Sequence, residues 1–469
     1  MKKIFKYAWL MAAALTVGLW SCSNHDDVPD NGGEDVTPVE GVETNLYLTL
    51  QFPGTYATTR TDSGTADESV INTLDLFILN ADGSQLITRK RVDDGSVNNG
   101  STITVTTSSG NRLIFAAVNL PDEFLTQIIA DKLDAVNDQT EYEVTVAQLT
   151  AEYGFVMFSS EVSAVTLWTT EELSADASLS NDISLDMVRM VGKVGTVKGS
   201  ALNQNITGYA NDGDPATVIG EVDLNTLAFT LGTVNKYTYA IQNLVYGVPQ
   251  DPNHIGYDAT HSGDRTSAVY GNDDFSPWGV DLPADYTLVN DFGTSTTNGD
   301  MEFKYAPENT ADLGLQGSNT YVSIRAQFSP ADMTADDGSP AAAYTVGDDF
   351  WMVTYTGQDD QQENVTISKF FHTEQDALDY CNSEGITFTP VEYKDGYCYY
   401  NVYPGRDDGY NFYRNTFYQV NVTAINSIGN PDPAPIDPDQ PIDGEKIDIL
   451  VEINIVPWTF IEEDHELGK

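Results

Sequence analysis

The chain has 469 residues and carries 22 Lys+Arg against 71 Asp+Glu, a formal charge of -49. A surface of that sign repels phosphate and anionic lipid headgroups, so nucleic acid is excluded as a partner and membrane attachment has to come from acyl chains. With 41% hydrophobic residues, the length is enough to bury two or three cores.

Residues 1–21 open with Lys2, Lys3 and Lys6 and continue as one apolar run from Tyr7 to Trp20. The run is too short to cross a hydrocarbon layer of about 30 Å as a helix, so it reads as an export signal for removal. It closes on Leu19-Trp20-Ser21-Cys22. A cysteine directly after a small residue at this place is a lipidation site, and several acyl chains on Cys22 suffice for anchoring where one is marginal. Loss of residues 1–21 leaves 19 Lys+Arg against 71 Asp+Glu, a charge of -52. Residues 22–43, mostly Asp, Pro, Gly and Glu, are expected to form a flexible tether.

In the first expected strand Leu46, Leu48, Leu50 and Phe52 alternate with Asn45, Tyr47, Thr49 and Gln51, up to Pro53-Gly54. A polar loop from Thr58 to Ser69 follows, with Arg60 its one basic residue. Val70 to Leu79 is a near-continuous apolar strand, turned by Asn80-Ala81-Asp82-Gly83 into a hairpin with Gln85 to Lys90. Leu113 to Asn119 reads as a buried strand, Pro121 to Leu133 has helical spacing, and Ile183 to Val197 returns to strand. Phe229 to Tyr237 closes a first domain over residues 44–237. Tyr246 to Asp300 is rich in Gly and Asp with little periodicity, and is expected to form surface connections.

A second domain, residues 238–469, has strands expected near Thr320 to Phe328, Phe350 to Tyr355, Val365 to Phe371, Phe388 to Tyr393, Tyr397 to Tyr403 and Phe412 to Ile425. A Pro/Asp spacer, Asn430 to Gly444, leads into a last strand in which Ile447, Ile449, Val451, Ile453 and Ile455 recur at period two. The fold class expected is mostly β: two tandem β-sandwich domains of transthyretin-like or Greek-key type, with few short helices.

After Cys22 only Cys381 and Cys398 remain. In an oxidising compartment they form either a disulfide or two buried thiols, and sequence separation does not set the Cα distance on which a bridge depends. The histidines, His25, His254, His261, His372 and His465, lack metal-ligand spacing. No H-E-x-x-H, C-x-x-C, EF-hand loop, G-x-S-x-G elbow or phosphate-binding glycine loop is present. Acids are so frequent that no carboxylate pair stands out. The expectation is a protein that is not an enzyme and takes no metal or cofactor.

Several local patterns, in order along nearly the whole mature chain, resemble the fimbrillin superfamily of Bacteroidales, the subunits of type V pili, and within it the branch of shorter-fimbria major subunits. Thr58-Thr59-Arg60 before Ile71-Asn72-Thr73-Leu74-Asp75-Leu76-Phe77-Ile78 is similar to the family's protease site and following strand. Leu113-Ile114-Phe115-Ala116-Ala117-Val118-Asn119 resembles its valine-alanine-asparagine strand, and Met187 to Val194 its R-x-x-x-K-V strand, here Arg189 and Lys193-Val194. Tyr413 to Val420, followed by Ile425, Ile428 and Gly429, resembles the signature of the branch, as does Val456-Pro457-Trp458.

The resemblance implies export as a lipoprotein to the outer membrane, then cleavage by a trypsin-like protease between Arg60 and Thr61. The released piece, residues 44–60, would carry away Leu46, Leu48, Leu50 and Phe52. A groove left by a lost strand offers unpaired backbone groups and an apolar floor, a template for strand addition. Another subunit's C-terminal segment, within 447–469, would fill it, with Ile447, Ile449, Val451, Ile453, Ile455, Trp458 and Phe460 as candidate side chains. Partners would be like subunits in a polymer, with anchor and tip proteins. The competing reading is a surface glycan-binding lipoprotein, with Trp278, Trp351, Tyr393, Tyr397, Tyr399 and Tyr400 as an aromatic platform.

Overall fold

The computed structural model describes residues 37–457 apart from 53–67, 69, 94, 98–99, 132–141, 151–153, 201, 246–247, 253–285, 292–301, 311–313, 406–408, 434–440 and 443–448. The folded unit begins at Val39. Cys22, Arg60, Thr61, Trp278, Ile447, Trp458 and Phe460 lie outside the described residues, as do the signal of residues 1–21 and most of the tether.

Period-two alternation builds the first sheet. Its strands are β1 (Glu43–Gln51), β2 (Leu74–Asn80), β3 (Leu86–Val92), β4 (Thr102–Ser108), β5 (Gly110–Val118), β6 (Met157–Ser159), β7 (Ser163–Leu167) and β8 (Asp182–Arg189). They run in the order β3-β2-β5-β6-β8-β1-β4, with β7 also on β5. The sheet curls until β3 and β4 come side by side, where the Thr88 and Thr107 hydroxyls pair at 2.9 Å and Lys90 Nζ donates to the Thr104 carbonyl. Inside lies one apolar core, from Leu46 to Met190 with Phe417 from the far end of the chain. The expected helix is α1 (Asp122–Asp131), and its Phe124 meets Tyr142 and Phe158 edge-on.

Ile183 to Val197, expected as one strand, breaks at Met190. On one side β8 belongs to the first sheet. On the other, β9 (Val191–Lys198) joins a second layer with β12 (Phe303–Pro307), β18 (Thr416–Ile425) and β19 (Ile449–Pro457). A facing sheet runs β10 (Asn205–Gly208), β11 (Thr217–Gly232), β13 (Tyr321–Pro330) and β17 (Tyr397–Val402). Val194, Val420 and Val422 of one layer meet Phe229, Ile324 and Phe328 of the other in a second core, as two packed sheets require. β9 and β11 therefore pair with strands of the C-terminal half, and the change of sheet falls at Met190, well before the expected domain boundary after Tyr237.

A smaller sheet of β14 (Phe350–Gln358), β15 (Asn364–Phe371) and β16 (Val391–Tyr393) carries helix α2 (Glu374–Glu384). The Thr373 hydroxyl caps this helix by accepting from the Asp376 amide at 3.1 Å, and Gly385 ends it at φ +68°, where a glycine is least strained. Among the described residues no helix is long and apolar enough to cross a membrane.

Candidate assembly site

β1 is an interior strand. It pairs antiparallel with β4 from Glu43↔Ser108 to Thr49↔Thr102, and parallel with β8 from Tyr47↔Asp182 to Gln51↔Asp186. Leu46, Leu48 and Leu50 are 0% exposed and Phe52 2%, so all four expected side chains enter the first core. Removing the strand would open a slot between β8 and β4 with donors and acceptors on both walls.

The entry to β1 is fastened. Val42 exchanges hydrogen bonds with Ser109, whose amide donates to the Val42 carbonyl at 2.7 Å, and Gly41 N donates to Ser109 O. Arg112 Nη1 reaches Glu40 Oε2 at 3.0 Å, and a Cβ on Gly110 (φ +116°) would overlap that carboxylate. Residues 39–42, placed in the tether on composition, thus belong to the fold. These contacts are largely backbone, so side-chain polarity does not reveal them.

Where the chain returns from the loop after β1, Glu68 is 1% exposed. Its carboxylate accepts from Lys193 Nζ at 2.9 Å and from the Tyr305 hydroxyl at 2.7 Å. Its carbonyl accepts from Arg189 Nε and Nη2, both at 3.3 Å. Arg189 and Lys193 are themselves 0% exposed, and Lys193 Nζ lies 3.6 Å from the Phe303 ring centroid. The R-x-x-x-K-V pattern is therefore the receptor for Glu68. Sequence reasoning missed this acid because nothing marks one glutamate in a polar loop as buried.

The two signature patterns of the two halves meet here. β9 and β18 pair in parallel from Lys193↔Phe417 to Lys198↔Val422, and Asn415 accepts from Arg189 Nη1 at 3.4 Å while donating its amide to Val191 O at 2.8 Å. A Cβ on Gly192 would come to 2.5 Å from the Tyr413 carbonyl, so this approach needs glycine. The next arginine, Arg414, is buried against Glu308 at 3.2 Å and donates to Ala240 O, Tyr239 O and Thr238 Oγ1. Burial pushes the Glu308 carboxyl above its ordinary value, against the pull of Arg414. In the third pattern Asn119, at φ +54°, donates to Val70 O and Phe155 O and accepts from the Asn72 and Thr73 amides.

β19, within the C-terminal candidate segment, pairs with β18 from Ile425↔Ile449 to Thr416↔Pro457. Ile449 is buried, and Val451 and Ile453 pack against the second core from half-buried positions, while Ile455 stands opposite Tyr418 in the register. Cys381 and Cys398 are both buried free thiols, one in the small cluster under α2 and the other in the second core. Burial pushes the Cys398 thiol up to about 11.

Of the expected platform, Tyr393 and Tyr400 are core residues whose hydroxyls donate to Gly429 O and Ser427 O. Trp351, Tyr397 and Tyr399 are half-buried. Arg325 sits over the rings of Tyr397 and Tyr286, which makes this face an internal cation-π stack. Among the described residues no three His, Cys, Asp or Glu side chains group as metal ligands.

Curled and stacked sheets around two main cores, tied by buried arginine clusters, define a mostly β protein. A solved structure from Parabacteroides distasonis, described as a candidate cell adhesion protein, superposes with a TM-score of 0.50 at 14% identity, covering 91% of this chain and 100% of that one. A fimbrilin (fimA) structure from Porphyromonas gingivalis gives 0.44 at 14% identity over 89% and 98%. In sequence, the Minor fimbrium subunit Mfa1 of Porphyromonas gingivalis is 22% identical over 98% of this chain and 99% of its own. The family of the Major fimbrial subunit protein (FimA) matches residues 46–269, and that of the Major fimbrial subunit protein type IV, Fimbrillin, C-terminal, matches residues 391–464. The chain belongs to the fimbrillin superfamily.

Proposed function

We propose that this chain is a structural subunit of cell-surface fimbriae that supports adhesion. It is exported as an outer-membrane lipoprotein through Cys22, cut between Arg60 and Thr61 by a trypsin-like protease, and polymerised with other subunits by strand exchange. The role is non-enzymatic. The observation that carries the reading is the placement of β1: an interior strand with its apolar face sealed, joined to the rest through the stretch that contains Arg60.

A replacement strand has to satisfy the same slot. β1 and β19 are both nine residues long, and both repeat aliphatic side chains at period two, Leu46, Leu48 and Leu50 in one and Ile449, Val451, Ile453 and Ile455 in the other. Four such side chains at about 1.5–3 kcal/mol each contribute roughly 6–12 kcal/mol, less the cost of association. β19 has β18 as its one strand partner among the described residues, so it can leave by opening a single edge. Segment 447–469 of another subunit is therefore the proposed donor. Trypsin digestion of the precursor should produce ladders that resist sodium dodecyl sulfate on unheated gels. Intact protein after digestion, or cut protein that stays monomeric at every concentration, counts against the reading.

A further inference from the structure

We propose that Glu68 is the anchor that fixes where the retained chain is first held: it keeps the new N-terminal arm seated on the body when β1 departs, and closes the exit end of the vacated slot. The assembly consequence rests on the processing reading above; the seating itself does not.

The argument starts from the cost of burying a carboxylate. A lone buried acid is unfavourable unless a cation and hydrogen bonds compensate it. Glu68 comes from a segment whose neighbours are Asp67 and Ser69 and whose composition suits exposure. Yet it enters a site supplied by three elements: Arg189 at the end of β8, Lys193 on β9 and Tyr305 on β12. Asn415, ahead of β18, holds Arg189 from the other side. Every polar atom of the Glu68 backbone carbonyl and carboxylate named here meets a donor, as a fixed point in the chain requires.

The location gives the anchor its meaning. β1 runs parallel to β8 and leaves it at Gln51↔Asp186, so Arg189 lies three residues further along the same wall. The chain thus departs at Phe52 and is caught again at Glu68, at the same end of the slot. Arg60 falls between the two, eight residues before the anchor. A cut there separates a piece held by strand pairing, which can be replaced by another strand, from a piece held by a buried ion pair, which no incoming strand supplies. The next hold downstream is Asn119, which grips Val70, Asn72 and Thr73.

The test uses the full precursor, nicked with trypsin and then trimmed with a broad aminopeptidase, with the new N-terminus read by intact mass. Wild-type protein should stop at or before Glu68. Glu68→Ala should trim on to Val70 and lose at least tenfold in the rate of ladder formation, with Glu68→Gln between the two. Tyr305→Phe removes one bond to the same carboxylate without stranding a charge, and should at least triple the fraction trimmed past Glu68. If Glu68→Ala does not fold, Tyr305→Phe decides, and trimming unchanged from wild type overturns the proposal. If trypsin spares Arg60, the processing reading fails, and a thermolysin nick within 53–67 supplies the end from which the same trimming comparison still tests the anchor.

Discussion

Leu48→Ala separates what holds the precursor together from what holds the polymer together. Leu48 is 0% exposed at the centre of β1, opposite Ile103 on β4 and Ile183 on β8. Truncating a fully buried leucine costs about 2–5 kcal/mol, the spread depending on how far the site collapses. The neighbouring strands limit that collapse, so the upper half of the range is expected. For a cooperative unit of roughly 150–250 residues each kcal/mol moves Tm by about 2–4 °C, so the precursor should melt at least about 7 °C lower. Once β1 has been cut away and replaced, the substituted residue is no longer present. Polymer made from the variant should therefore melt with wild-type polymer, while the precursor does not. Scanning calorimetry of precursor and of purified polymer measures both. Equal losses in the two forms would mean that β1 remains in the assembled subunit, and the strand-exchange account would fall.

Asn119→Ala should destabilise the precursor by about 1–3 kcal/mol, since it removes a buried side chain that satisfies the part-buried Asn72 and Thr73 amides and the Val70 and Phe155 carbonyls; denaturant melts read this, and a loss under about 0.5 kcal/mol would contradict it. Neither Cys381 nor Cys398 should react with a thiol reagent in the native protein near neutral pH, and both should react after unfolding; a failure to find two thiols in denatured, unreduced protein would restore the disulfide. Because burial raises the Glu308 carboxyl above its ordinary 4.5, the folded state holds that proton longer than the unfolded one. Stability contributed by Glu308 therefore falls as pH rises from 4.5 towards the raised value, and Glu308→Gln should flatten the Tm-against-pH curve in that interval. An unchanged slope would mean that Glu308 is charged throughout.

Strand existence was readable where one face meets a core and the other does not. Leu46 to Phe52 and the helix expected over Pro121 to Leu133 follow from periodicity, because that signal depends on residues close in sequence. The break at Met190 was not readable. β8 alternates exposed and buried residues while β9 is buried along nearly its whole length, and neither local pattern says which sheet each half joins. Glu68 was hidden for a related reason: its burial depends on Arg189, Lys193 and Tyr305, which are more than a hundred residues away. The family patterns flagged Arg189, Lys193, Arg414 and Asn119 without saying why, and the structure supplies the reason, since each is a buried donor that pins a distant segment. The platform tyrosines went the other way. Tyr393 and Tyr400 alternate inward on their strands and pack in the second core.

The central claim is that cleavage exchanges β1 for a strand of another subunit. The most direct measurement is the N-terminal sequence and intact mass of subunits taken from assembled filaments. The account predicts a start at Thr61, with residues 44–60 absent and the C-terminal segment to Lys469 retained. Filaments whose subunits begin at Cys22 and still contain Leu46 to Phe52 would contradict it.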